Sequence, residues 1–286
     1  MRIALEVWSA RFDEVRATCL RAEALGLDGF YYGESPHALN LDCWTTLGAL
    51  ASITERIRLG PVITNVLPTY RCLALLAKQS ATLTAIAPDR LDFRTGAGAA
   101  IAFARPWWEP FGIEYPPYDH RLDELHAALG LLPDLWARSG VSAPPITIAA
   151  TGRRAMRLAA EQADIWETSF ATPAEFGERW AALRAVGVGR DVRTSLEIDG
   201  FVSMTRDGVR RLTDQVRAER GSEDLEAVLG RALIGTPVEV ARQLDALANV
   251  GVDQVVVALH DPHEPDAIEA LASARSAARS QHRCRT

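Results

Sequence analysis

IRLGPVIT (Ile57–Thr64), RCLALLAKQSATLTAIA (Arg71–Ala87) and RLDFRT (Arg90–Thr95) follow one another with only short joints between them. The first and last are short apolar or β-branched runs, the signature of strands covered on both faces. The middle one carries its apolar residues at helical spacing and stops at Pro88, whose ring cannot continue a helix. A strand, a helix and a second strand in this order form a βαβ unit, and a parallel pair requires such a crossover.

The same alternation extends in both directions. Upstream, Met1–Trp8 reads as a strand, Phe12–Leu25 as a helix ended by Gly26, Gly29–Gly33 as a strand and Trp44–Thr54 as a helix. Downstream come a helix over Arg121–Trp136, a strand over Pro145–Ala150 and a helix over Arg153–Gln162. A strand over Asp164–Thr168, a helix over Pro173–Val186 and a long strand over Thr194–Met204 follow. Asp207–Gly235 reads as helical and charged throughout. Thr236, Pro237 and Glu239 have the types and spacing of a capping box that opens a helix through Ala248. Asp253–Leu259 is a last apolar strand, Glu264–Ser280 a closing helix, and 281–286 a tail expected to fray.

Eight strands alternating with helices in 286 residues are the arithmetic of a (β/α)8 TIM barrel. The competing architecture is a doubly wound sheet. If it bound a dinucleotide, it would place a glycine-rich fingerprint in its first turn, and Trp8–Arg11 contains no glycine. No Pro/Gly/Ser-rich linker divides the chain, so residues 1–286 are expected to form a single domain. The rhythm breaks over 99–120, a long segment after the fourth strand with four prolines and the pair Trp107–Trp108. Connections of that length are usually lids or binding elements; an apolar satellite core beneath a long loop is the alternative.

Charge and composition narrow the function. Lys+Arg total 31 against 37 Asp+Glu, a net charge of -6, which argues against a duplex-binding surface. The only lysine is Lys78, so any phosphate grip must be built from arginine and backbone N–H groups. Cys19, Cys43, Cys72 and Cys284 form no CxxC pair, which removes redox and zinc motifs. His260 and His263 match no metal spacing, and no metal is expected. With no 18-residue apolar run and no leader-like N-terminus, the expectation is a cytoplasmic protein without membrane or nucleic-acid partners.

A barrel places chemistry at the C-terminal ends of its strands. That rule selects Glu6 and Trp8, the cluster Glu34–Ser35–His37, and then Thr64 and Asn65. It also selects Thr95 with Gly96 and Gly98, Thr151–Gly152–Arg153, and Glu167 near the end of the sixth strand. Each admits a plain alternative. Glu34 can be a buried structural carboxylate. Gly96–Ala97–Gly98 can be an ordinary turn, and Thr151–Arg154 a helix cap with two exposed arginines.

Several segments together resemble the luciferase-like oxidoreductase superfamily, barrels that use reduced FMN or the deazaflavin F420. They are AEALGLDGFYYGES (Ala22–Ser35), LGALASITERIRLGPVITNV (Leu47–Val66), LALLAKQSATLTAIAPDRLDFRTGAG (Leu73–Gly98), PITIAATGRRAMRLAAEQADIW (Pro145–Trp166) and GTPVEVARQLDALANVGVDQVVV (Gly235–Val257). The resemblance implies a non-proline cis peptide at Val62–Ile63 beneath the cofactor ring, with Thr64, Thr95 and Gly96 beside it. Glu34 falls in the cofactor shell, and Thr151–Gly152–Arg153 is expected to receive the cofactor phosphate. Ser35 departs from the family, where histidine at that place often serves catalysis. Ala99 stands where the F420-dependent sugar-phosphate dehydrogenases carry an acid. Ser35, His37 and Asn65 are the candidate catalytic groups. Trp107, Trp108 and Phe111 are the candidate substrate loop.

The leading expectation is a reduced-FMN-dependent monooxygenase. It would use O2 and a separate flavin reductase to act on an apolar or aromatic small organic substrate. The alternatives are an F420-dependent reductase or dehydrogenase served by an F420 reductase system, and a flavin-binding barrel without turnover. The resemblance also implies a homodimer.

Overall fold

The computed structural model describes residues 1–37, 39–186, 189–220 and 222–283. The chain opens with β1 (Arg2–Val7), α1 (Phe12–Ala24), β2 (Gly29–Gly33), α2 (Cys43–Ala51), β3 (Arg58–Val62) and α3 (Leu73–Ile86). It continues through β4 (Phe93–Gly96), α4 (Ile101–Trp108), α5 (Tyr118–Arg138), β5 (Ile146–Ala149), α6 (Arg153–Gln162) and β6 (Ile165–Ser169). Then come α7 (Pro173–Ala185), β7 (Arg193–Val202), α8 (Arg206–Arg220), α9 (Ser222–Leu229), β8 (Ala232–Gly235), α10 (Pro237–Asn249), β9 (Gln254–Leu259) and α11 (Pro265–Arg283).

The strands pair in parallel in the order β3-β2-β1-β9-β7-β6-β5-β4, with β8 pairing β7. The two ends of that path meet. Leu59 N–H donates to Arg90 O at 2.8 Å, Asp92 N–H to Leu59 O at 2.9 Å, and Thr64 N–H to Arg94 O at 2.8 Å. Thr95 Oγ1 adds a bond to Thr64 O at 2.9 Å. The sheet is therefore a nearly closed barrel ringed by helices, as the βα rhythm predicts.

Two expectations are corrected. The charged stretch before Thr236 is not helical throughout, because Ala232–Gly235 forms β8 and covers the end of β7, registering Asp199 against Ala232. Four residues are too few to show a strand period beside two charged helices. The long connection after β4 is not irregular either. It contains α4 and a turn of 3-10 helix over Glu109–Phe111, and α5 begins at Tyr118 instead of Arg121. Pro106 lies inside α4, and its presence hid an eight-residue helix from a propensity reading. Of the tail expected to fray, α11 reaches Arg283, and 284–286 lie outside the described residues.

Alternation along the strands decides what fills the barrel. On β1, Ile3, Leu5 and Val7 point outward into the large core beneath the helices, while Ala4 joins Tyr31, Val62 and Val256 inside. Trp136 and Trp166 anchor the outer core, and Trp136 Nε1 donates to Ser80 Oγ at 2.8 Å. The Glu239 carboxylate accepts from the Thr236 N–H at 2.9 Å, the carboxylate half of the expected box. A complete box forms between Thr172 and Glu175 at the start of α7.

Gly60 sits at the seam. A β-carbon there would lie 2.3 Å from the Asp92 carbonyl oxygen, a backbone atom that cannot yield without moving β4. Gly60→Ala is expected to lower unfolding stability by about 2 kcal/mol or more, read from the urea midpoint. A midpoint equal to that of the parent chain would show that the seam is not tightly packed.

Candidate active site

The inner face of the barrel is polar. On β4, Arg94 turns inward and is fully buried; its Nη2 lies 2.6 Å from Glu167 Oε1 on β6. Its guanidinium also stacks over the Tyr31 ring at 4.0 Å. Tyr31 donates to Asp92 Oδ2 at 2.6 Å, and Asp92 in turn holds Arg58 at 2.7 Å. Ser195 Oγ on β7 donates to Glu167 Oε2 at 2.7 Å. Burial alone would lower the Arg94 pKa, but the Glu167 carboxylate beside it holds it above the ordinary arginine value.

Above this pair the barrel opens into a cavity of about 660 Å³, within the usual range for small-molecule sites. Its floor carries Glu6, Glu167, Glu197 and Asp199. Trp8 Nε1 donates to Glu6 Oε1 at 2.7 Å, and Ser169 Oγ donates to Glu197 Oε2 at 2.9 Å. Burial drives the carboxyls of Glu6 and Glu197 above the usual carboxylate range. The neighbouring carboxylates push the same way, and a single buried guanidinium only partly offsets them.

The walls are apolar. Val62, Ile63, Ala97, Ala149 and Ala258 leave room for a flat ring. The Val62–Ile63 peptide bond is cis, as the resemblance implies. Trp8 lies against Gly33, where a β-carbon would come within 2.2 Å of the indole.

The roof is built from α4. Trp107 packs on Trp8 at 6.1 Å, on His37 at 5.5 Å and on Phe103 at 5.3 Å between ring centroids. Trp108 is buried against Leu67, Ala104 and Tyr115. Arg121, itself buried, fixes the whole connection. It donates to Ala97 O at 2.7 Å, Ala99 O at 2.8 Å and Pro116 O at 2.7 Å, so both ends of the roof hang on one side chain. Gly98 is required here, since it has φ +78 and a β-carbon would meet the Tyr115 hydroxyl at 2.3 Å.

Of the sequence-selected residues, Glu6, Trp8, Glu34, Ser35, Val62, Ile63, Asn65, Gly98, Trp107, Trp108, Thr151 and Glu167 border the cavity. Thr64, Thr95, Gly96, His37, Phe111, Gly152 and Arg153 are not among its lining residues. Thr64 is fully buried, accepting from Trp44 Nε1 at 3.1 Å, and Thr95 serves the seam. Both threonines stitch β3 to β4 and do not face a ring. Gly96 makes room for Ile63, whose Cδ1 would lie 2.8 Å from a β-carbon. His37 packs on Trp107 outside the cavity, and Phe111 is half exposed beyond the roof. Glu34 is ion-paired with Arg71, and Ser35 Oγ donates to Asn40 Oδ1 at 3.1 Å.

Gly152 and Arg153 begin α6 at the rim. No side chain caps this helix start, so its first N–H groups are available to an anion. Arg154 is tied to Asp119 and Asp123, whereas Arg153 is exposed and has no ion-pair partner among the described residues. His260 stacks on Phe201 and His263 bonds Thr18. Among the described residues no cluster of His, Cys, Asp or Glu is arranged to hold a metal. No helix among them is long and apolar enough to cross a membrane.

Residues 4–219 match the family described as luciferase-like monooxygenase. The chain belongs to that family. It is a luciferase-like barrel enzyme of the flavin- and F420-dependent oxidoreductases. Among characterised relatives, an F420-dependent glucose-6-phosphate dehydrogenase of Microbacterium testaceum is 28% identical over 212 residues, 64% of this chain and 60% of the relative. Its counterpart in Kribbella flavida is 33% identical over 135 residues, 43% of this chain and 37% of the relative. The matches thus span less than two thirds of either relative's length.

Among solved structures, an F420-dependent secondary alcohol dehydrogenase in complex with an F420–acetone adduct superposes with a TM-score of 0.76 at 16% identity. The match covers 97% of this chain and 98% of that one. The oxygenating constituent of 3,6-diketocamphane monooxygenase from Pseudomonas putida, in complex with FMN, gives 0.76 at 17% identity, covering 96% and 98%. At these identities the likeness is one of fold.

Arg94, Glu197 and Asp199 were not legible as site residues from motifs. The signal was there in the alternation of β7, where Ser195, Glu197 and Asp199 share one face and Leu196 and Ile198 the other. Glu167→Ala should leave the Arg94 charge buried without a partner and lower stability by about 3–5 kcal/mol. Glu167→Gln, which keeps a hydrogen-bonding oxygen, should cost clearly less. Urea unfolding of both variants checks this; equal losses would mean that the lost charge alone, not the hydrogen bond or the packing, sets the cost.

Proposed function

We propose that this luciferase-like enzyme transfers hydride between F420 and a small neutral organic carbonyl or alcohol. The observation that carries the reading is the lining of the cavity. Five carboxyl side chains, Glu6, Glu34, Glu167, Glu197 and Asp199, border it, and no Lys or Arg is among the described lining residues. With no Lys or Arg on the described lining to receive an anion, the cavity does not suit a sugar phosphate, the substrate in the names of the two dehydrogenase relatives. The relatives' shared cofactor, and the ketoreductase function named for a Mycobacterium relative 27% identical over 205 residues, support hydride chemistry on a carbonyl.

This ranks F420 above FMN, the reverse of the order expected from sequence. Oxygen-activating sites guard a proton-sensitive adduct by excluding water and proton donors. A floor of buried carboxyls is poorly suited to that task. The monooxygenase reading keeps the support of the aromatic roof over the cavity and of the family to which the chain belongs.

The flat walls around Val62–Ile63 fit a tricyclic ring, and the uncapped start of α6 with Arg153 fits a phosphate. When bound, the deazaflavin supplies a hydride acceptor or donor at one ring carbon. The chain's own residues do the rest. Thr151, Gly152 and Arg153 would hold the phosphate. Ala97, Ala149 and Ala258, with their small side chains, would make room for the ring. Trp107 and Trp108 exclude water.

Fluorescence titration with F420 and with reduced FMN under anaerobic conditions tests the assignment. F420 is expected to bind more tightly, and Arg153→Ala to weaken its binding about tenfold. Tighter binding of FMN, with oxygen consumed in the presence of an aromatic substrate, would establish the monooxygenase instead.

A further inference from the structure

We propose that Glu6 is the proton donor of this site, delivering its proton to the oxygen of a neutral carbonyl substrate. The inference rests on the hydride-transfer reading and assigns the acid which that reading requires.

Reducing a carbonyl needs an acid. The electron pair of the incoming hydride forms the new C–H bond, and the C=O π pair moves onto oxygen. That oxygen must then take a proton. The reduced deazaflavin supplies the hydride and leaves oxidised. The acid becomes a carboxylate.

The usual places for that acid are empty of acids here. Ser35 and Ala99 occupy them, and Ser35 Oγ is already committed to Asn40. His37 packs outside the cavity, where its Nδ1 accepts from the Leu39 N–H at 3.2 Å. Glu34 is held as the partner of Arg71, and Glu167 as the partner of Arg94.

Glu6 differs from both in its pairing. Like Glu34 it borders the cavity, is only 8% exposed and has an Oε2 without a hydrogen-bond partner, but among the described residues no guanidinium or ammonium is ion-paired with it. Its other oxygen is fixed by Trp8 Nε1 at 2.7 Å, and Trp8 is itself held against Gly33. One oxygen is thus anchored, and the other is buried without a partner on a side chain that lines the cavity. An unpartnered buried polar atom costs free energy, and a bound substrate oxygen at this atom would remove that cost.

The surroundings favour the proton-bearing form. Glu6 registers between Tyr31 on β2 and Ala258 on β9. The charged groups acting on it are Arg94 from β4, Glu167 from β6, and Glu197 and Asp199 from β7. Three carboxyls against one guanidinium, in a buried site, oppose a further negative charge. Burial raises the Glu6 pKa for the same reason. The acid is functional only while protonated, so carbonyl reduction should fall as pH rises through that raised value.

Infrared spectroscopy of the full chain at neutral pH, in H2O and D2O, reads the proton directly through the C=O stretch of a protonated carboxyl. Glu6→Gln keeps the size of the side chain and an acceptor for Trp8. The variant should lose part of that band while keeping its near-ultraviolet circular dichroism. Reduction of cyclohexanone by reduced F420 should slow about 100-fold or more, with the F420 dissociation constant unchanged and the alkaline fall in rate abolished. An unchanged infrared band, or equal rates in the two proteins, would overturn the assignment. A parent chain that binds no F420 overturns the hydride-transfer reading instead, and the infrared band then decides by itself whether Glu6 holds a proton.

Discussion

Among the described residues, Arg94 is the one guanidinium stacked within the barrel among carboxyls that face it from three strands. Its pairing with Glu167, its stacking on Tyr31 and the hydrogen bond from Ser195 to the far oxygen of Glu167 join β2, β4, β6 and β7 across the axis. A barrel of this kind is ordinarily filled by branched apolar side chains. Here small apolar residues, Ala4, Val62 and Val256, pack around a polar centre. Such a centre is stable only when the ion pair is intact, because a buried charge without a partner costs several kcal/mol. The acidic floor depends on it as well, since Arg94 is the positive charge that partly offsets burial at Glu6 and Glu197.

The roof uses the same residue type for a different purpose. Arg121 meets no carboxylate; its guanidinium is satisfied by three backbone carbonyls and by the faces of Tyr115 and Tyr118. The planar fork with fixed donors suits this role, and a lysine ammonium would not reach all three carbonyls. In a chain with a single lysine, arginine holds the barrel centre, the roof and the rim alike.

The fold was legible because βα alternation is written in hydrophobic period, and the period survives even where strands are only four residues long, as in Phe93–Gly96 and Ile146–Ala149. The cis bond at Val62–Ile63 was legible through resemblance alone. β8 was not legible: two of its four residues are only half buried, so it carries no distinct pattern. Thr64 and Thr95 were placed at the right strand ends but given the wrong task. Being at the end of a strand does not say which way a side chain points, and one residue of phase decides between the cavity and the seam. Half of the floor is legible, since the strand-end rule selects Glu6 and Glu167. Glu197 and Asp199 lie in the middle of the long β7 and not at its end, and what joins them to Glu6 and Glu167 is proximity across the barrel.

The charge arrangement also orients the cofactor on the proposed reading. Carboxyls gather at the bottom of the cavity, and the unpaired Arg153 with the bare N–H groups of α6 lies at the rim. No Lys or Arg lines the cavity among the described residues, so an anionic phosphate or an acidic tail would meet no cation among Glu6, Glu197 and Asp199. It is drawn to the rim, where the helix start and one arginine meet it. On that reading Val62 and Ile63 would receive the ring, and the carboxyls and the aromatic side chains of α4 would line the rest of the cavity. Glu6 Oε2, buried on that floor without a hydrogen-bond partner, would then lie beside whatever neutral molecule shares the cavity with the ring.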